Sequence, residues 1–259
     1  YNTDMMGLDI AIKGSWNCGT YDINHDYGAY NYRRPYQFWN FFYTQIKKAN
    51  EIIDMFGEED PTDSNLKGWL GQAYALRAFG YTYLIQLFQD PVEGTTPNAK
   101  FRDSAPAVPI IYSVRDGKSN EEAAQVGGRN TMADLKTEIE RNIEKALPLL
   151  QGYKRASKNE INYEVAQGIA ARYYLLTQQW SKAISAAQAA QNGFDIMDQT
   201  RLLSGFMEIE DAEVMWGFNH TTETMTSYAS FFSHLSNDSP GYGGVGQSIH
   251  CIDRSLYDQ

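Results

Sequence analysis

Rings crowd the start of the chain. Trp16, Tyr21, Tyr27, Tyr30 and Tyr32 fall in a stretch broken by Gly14, Gly19, Gly28 and Pro35, where no helical period accounts for them. Asn17, Asp22, Asn24, His25, Asp26, Asn31, Arg33 and Arg34 lie among them. Ring faces beside carboxylates, amides and guanidinium groups suit a ligand with flat C–H faces flanked by hydroxyls: the rings stack and the polar groups hydrogen-bond. A saccharide is such a ligand. A stretch of similar character follows residue 216, with Asn219, His220, Tyr228, Phe231, His234 and Tyr242 in a loop setting. From these two stretches we take Trp16, Asp22, Tyr27, Tyr30, Asn219, His220 and Tyr242 as candidate ligand-binding residues. The plainer alternative is that the rings plug a loop onto the body of the protein with their polar ends wet.

Covalent chemistry has little support. Glu208, Glu210, Asp211 and Glu213 are close in sequence, but a glycosidase needs two carboxylates about 5 to 10 Å apart, and these normally come from separate elements. Clustered on one polar turn, they read as solvated. There is no G-x-S-x-G, no phosphate-binding loop and no H-E-x-x-H, and His25, His220, His234 and His250 are scattered. Cys18 and Cys251 stand near opposite ends without a C-x-x-C pair or a His cluster, and read as free and buried. We therefore expect no enzyme activity, no cofactor and no metal.

Charge narrows the partners. A net charge of -10 and a pI near 4.9 disfavour nucleic acid and anionic lipid surfaces. No window of about 18 apolar residues appears, so no membrane span is expected. The chain opens at Tyr1 without a charged-then-apolar leader, which suits either a cytosolic protein or one whose targeting region has been removed.

Helices must position the candidate residues. The first 35 residues are turn-rich, with one short helix near residues 4–13. From residue 36 a helical period takes over, with Trp39, Phe42, Tyr43, Ile46, Ala49, Asn50 and Ile53 on one side until Gly57. Asp60 then offers an N-cap, with Pro61 at the first helical position and Asp63 three residues after the cap, for a helix running to Phe88. Its apolar stripe is Tyr74, Ala78, Tyr81, Leu84 and Phe88, with a charge at Arg77 that calls for a structural ion pair. Gly68, Gly71 and Gly80 predict close helix contacts that offset about 1 kcal/mol each of lost propensity. Residues 91–128 form a long excursion with a short strand at 108–111. Thr131 with Asp134 and Ser157 with Glu160 read as capping boxes opening two further helices. Arg172, among apolar neighbours in the second of these, calls like Arg77 for an ion pair if buried. A fifth helix runs from Trp180 to a stop at Asn192-Gly193. A short strand is expected over residues 213–218.

These motifs carry a resemblance. W-x-x-x-Y-x-x-I-x-x-A-N from Trp39 to Asn50, Ala75-Leu76-Arg77-Ala78 with Tyr81 and Leu84, Leu87-Phe88 before a Pro turn, the helix over 131–147, Ala170-Ala171-Arg172-Tyr173-Tyr174-Leu175 with Trp180, and Glu213-Val214-Met215-Trp216 occur in an order that resembles the SusD/RagB family of outer-membrane glycan-binding lipoproteins. One departure is Phe88-Gln89-Asp90-Pro91, where the family usually has Phe-Gly-Asp before Pro.

The resemblance implies a mainly α fold: an irregular helical domain with tetratricopeptide-like helix pairs, long loops and a few short strands. It further implies one domain over residues 1–259, with an aromatic loop region at 1–35, a helical scaffold at 36–193 and a loop-rich segment at 194–259 leading to a missing C-terminal half. In function it implies capture of an oligosaccharide at the bacterial cell surface and delivery to a SusC-like TonB-dependent outer-membrane transporter. The membrane would be reached only through an N-terminal lipid anchor absent from this chain. Two rivals are a tetratricopeptide-type scaffold for a protein partner, which predicts regular repeats and few loop rings, and a member of the same family that takes up peptides.

Overall fold

The structure is a computed structural model that describes residues 10–13, 33–89, 101–118, 127–205, 208–219 and 249–252, with 221, 223, 254 and 258 as single positions. It falls into two compact units, Tyr1–Phe38 with His220–Gln259, and Trp39–Asn219.

In the first unit, strand β1 (Ile10–Lys13) pairs antiparallel with β2 (Ile249–Ile252), Ala11 opposite Cys251 and Ile12 opposite His250. The short helix expected near residues 4–13 is thus a strand at its end. The I-A-I-K alternation of β-branched residues suits an extended backbone once a second strand is at hand to receive it.

The helices are α1 (Arg33–Ile53), which begins three residues earlier than its period suggests, α2 (Ser64–Phe88), α3 (Met132–Leu150), α4 (Tyr163–Leu176), α5 (Trp180–Ala190) and the short α6 (Gln199–Leu203). The mainly α expectation holds. Asp63, rather than Asp60, caps α2: its carboxylate accepts from the amides of Asn65 at 2.9 Å and Leu66 at 3.0 Å, while Asp60 binds Arg115. The Thr131–Asp134 capping box opens α3 as expected. Ser157 and Glu160 instead close a turn, because the Glu160 carboxylate is taken by the Tyr153 hydroxyl and the Ala156 amide, and Asn162 caps α4 through the Val165 amide at 3.0 Å.

Helix α2 is the hub. It packs against α3 and α4 and buries residues around much of its circumference, from Gly68 to Ile85, where the sequence showed a single stripe. Its glycines make this feasible. A Cβ on Gly71 would stand 2.7 Å from Leu150 Cγ, and one on Gly68 2.3 Å from the Tyr153 ring. Helices α4 and α5 pack on one another as the expected tetratricopeptide-like pair, with Gln178 at φ 59° in the short turn between them.

The expected strand at 108–111 does not form. The segment is largely buried; Val108 O accepts from the Asn130 amide, and much of the remaining backbone bonding is to side chains distant in sequence. Tyr43 Oη donates to Pro109 O at 2.7 Å, and Asn50 Nδ2 to Ile111 O at 3.0 Å. The Ile111 amide donates to Tyr81 Oη at 2.8 Å, and the Ile110 amide to Asn130 Oδ1 at 2.8 Å. Buried backbone polar groups must be paired, and here side chains do what a neighbouring strand would do. Beyond it, a 3-10 turn (Val114–Asp116) is held by Asp54, which accepts from the Val114 amide at 2.8 Å.

A buried ion cluster locks that turn. Arg77, fully buried, donates to Asp116 at 2.9 Å and pairs with Glu138, and Arg141 bridges both carboxylates at 2.7 Å. Burial works against the Arg77 charge, but Asp116 and Glu138 outweigh it and raise its pKa. The ion pair expected of Arg77 is therefore present.

Candidate ligand-binding site

The rings that the structure does describe form a connected row on the second unit. Phe42 of α1 stacks on Tyr83 of α2, with ring centres 5.2 Å apart and planes 15° apart. Tyr83 meets Phe79 at 4.8 Å, Phe79 meets Trp216 edge-on at 5.5 Å, and Trp216 meets Phe218 at 5.8 Å. Phe79 and Tyr83 sit one helical turn apart on α2, which places both rings on one face. Trp216 is fixed from behind by its indole N–H, which donates to Asn159 O at 3.1 Å, and by the Gly217 amide on Lys158 O at 3.1 Å. The expected strand at 213–218 does not form, and the segment is held by single bonds such as these.

Beside this row lies a cleft of about 310 Å³ between α2 and α4, lined by Phe79, Thr82, Tyr83, Gln86, Ile169 and Arg172 among others. Arg172 is exposed and poises its guanidinium over the Tyr83 ring, 5.7 Å from its centre, a cation–π arrangement in place of an ion pair. Gln86 Nε2 donates to Thr82 O at 3.0 Å, which sets its amide along the cleft wall. Phe218 is 65% exposed. Ring faces, an amide and a guanidinium are thereby gathered beside one cleft, groups suited to stacking and hydrogen bonding.

Of the sequence-based candidates, Asn219 alone lies among the described residues, exposed and directly after Phe218. Trp16, Asp22, Tyr27, Tyr30, His220 and Tyr242 lie outside them. Tyr74, Tyr81 and Tyr173 are core, each at 1% exposure or less. Burial pushes the Tyr81 and Tyr173 hydroxyls well up, so they stay protonated and donate. Asp211 departs from the solvated reading of its run: it is buried and paired with Arg201. Phe79, Tyr83 and Gln86 went unremarked in sequence, although their i, i+4, i+7 spacing marks a second face of α2. Among the described residues no group of His, Cys, Asp and Glu could hold a metal ion, and no helix is long and apolar enough to cross a membrane.

A family model described as starch-binding and associating with the outer membrane, of SusD-like type, matches residues 1–175. No curated protein matches the chain. Among solved structures, a SusD-like carbohydrate binding protein from Bacteroides vulgatus aligns with TM-score 0.76 at 22% identity, over 98% of this chain and 51% of that one. A second Bacteroides vulgatus protein, described as a putative sugar binding protein, aligns with TM-score 0.71 at 20% identity, over 98% and 54%. A laminarin binding SusD-like protein aligns with TM-score 0.54 at 18% identity, over 76% and 39%. At such identities the likeness is one of fold, and the chain spans about half the length of the first two structures.

Proposed function

The chain belongs to the SusD-like family, and on that premise we propose that it binds an oligosaccharide at the bacterial cell surface, without chemically altering it, and passes it to a SusC-like TonB-dependent outer-membrane transporter. The observation that carries the binding step is the run of Phe79, Tyr83, Trp216 and Phe218, with buried Phe42 packed behind Tyr83, beside a cleft edged by Gln86 and Arg172. Stacking contributes modestly per ring, so several rings along a curved chain of sugars give selectivity while release stays fast. From the sequence alone, Trp16, Asp22, Tyr27, Tyr30, Asn219, His220 and Tyr242 are also proposed as glycan-contacting residues. Binding of laminarin by a protein of the same fold supports a glycan as the ligand.

Calorimetric titration against plant, host and microbial oligosaccharides, beside a peptide library, tests this. Binding to a glycan that weakens in Tyr83→Ala is the expected result. Tight binding to peptides with none to any glycan would overturn it.

A further inference from the structure

A second cleft, of about 360 Å³, opens beside the 108–111 segment, lined by Tyr112, Lys118, Gly127, Gly128, Arg129 and Asn130. Its described lining holds two cations and no carboxylate, in a chain whose net charge is -10. Lys118 Nζ stands 4.9 Å from the centre of the Tyr112 ring. Arg129 is held in place by donating to the carbonyls of Ala107, Pro106 and Phe88. Tyr112 is positioned by its clamped neighbours, Ile111 on Tyr81 and Asn50, and Ser113 on Asp116. A Cβ added at Gly127 or Gly128 would meet nothing within 4 Å, so the backbone there is open to an approaching ligand.

We propose that this cleft binds an anionic saccharide, a proposal that rests on the glycan reading above. The Tyr112 ring takes a C–H face of the sugar and the Lys118 ammonium takes its carboxylate or sulfate, with Arg129 as a second cation in the lining. The cleft beside the ring row is lined by one cation, Arg172, against two here.

The test uses the full chain, titrated with galacturonate oligosaccharides and their methyl esters, and with sulfated and desulfated galactan oligosaccharides. Lys118→Glu should weaken the anionic ligands by about tenfold or more, the loss of one charge-assisted hydrogen bond, with neutral glycans and the melting temperature unchanged. Lys118→Arg should retain most of the affinity, and Tyr112→Ala should weaken the anionic ligands too. Binding of either the uronate or the sulfated ligand through Lys118 supports the site and names the anion. Anionic affinity indifferent to Lys118→Glu, or binding of neutral glycans alone, overturns the anionic site and leaves the glycan reading standing. Binding of no glycan of either kind removes both.

Discussion

Arg77 of α2 and Asp116 of the 3-10 turn, 39 residues apart in sequence, meet at 2.9 Å as an ion pair whose two side chains are fully buried. The pair joins the helical hub to the far end of the long excursion after α2, and Glu138 and Arg141 close the cluster. Removing Arg77 strands two buried carboxylates with Arg141 as their main remaining cation. Arg77→Met is therefore expected to lower unfolding stability by about 3 to 5 kcal/mol, read from the midpoint of a urea transition at neutral pH. A loss below about 1 kcal/mol would show that Arg141 suffices.

Acid should unlock the same cluster. Burial alone would raise the Asp116 carboxyl, but Arg77, Arg141 and the Ser113 amide hold it far below the usual carboxylate range. With the folded value depressed, the contribution of Asp116 is complete above its unfolded value of about 4 and is lost as the pH falls below that. Wild-type stability measured from pH 6 to pH 2 should drop steeply below about 4, and Asp116→Asn should start lower and drop less steeply.

Glycine-to-alanine changes in α2 should run against helix propensity. Alanine would favour a helix by about 1 kcal/mol. A Cβ at Gly68 or Gly71, however, collides with Tyr153 or Leu150, so Gly68→Ala and Gly71→Ala are each expected to destabilise by about 1 to 3 kcal/mol. Gly57→Ala, where a Cβ meets nothing within 4 Å, should stay within about 0.5 kcal/mol of wild type in the same thermal melts.

The Tyr81 hydroxyl accepts from the Ile111 amide and donates to Ile111 O at 3.3 Å. Tyr81→Phe leaves a partly buried amide without that acceptor, at a cost of about 1 to 3 kcal/mol. Amide exchange at Ile111 should accelerate by more than exchange in the middle of α4. Uniform acceleration would show that the bond merely reports global stability.

Ligand binding should separate from folding at the rings. Phe218→Ala, Trp16→Ala and Tyr30→Ala are expected to weaken glycan affinity while the melting temperature changes little. A Trp16 or Tyr30 variant that loses folding along with binding would place that ring in a core.

Much of the scaffold is legible in the sequence. The 3.6-residue periods of α1 and α3 to α5 and the Thr131–Asp134 box act locally, within one or two turns of the chain. The misreadings have a common physical origin in long-range partners. Residues 108–111 looked like a strand because they are apolar and buried, but Tyr43, Asn50, Tyr81 and Asn130 take their backbone groups, and nothing nearby in sequence announces this. Asp60 makes a plausible cap until Arg115 arrives to claim it. In the ring row, Phe79 and Tyr83 are hidden because α2 is apolar around most of its girth, so a second ring-bearing face does not stand out from the packed one. Asn219 is the one sequence-based candidate that the structure describes beside that row.

The side-chain clamp on residues 109–116 also fixes an order of events. Tyr43 reaches its partner across 66 positions, Asn50 across 61 and Arg77 across 39. Each of these bonds closes a loop of dozens of residues, and that closure entropy is recovered only once the bond forms. The excursion is therefore expected to join the fold late. Substitutions in it, such as Ile110→Val, should speed unfolding and leave the refolding rate nearly unchanged, whereas Ile46→Val or Leu84→Ala in the helices should slow refolding.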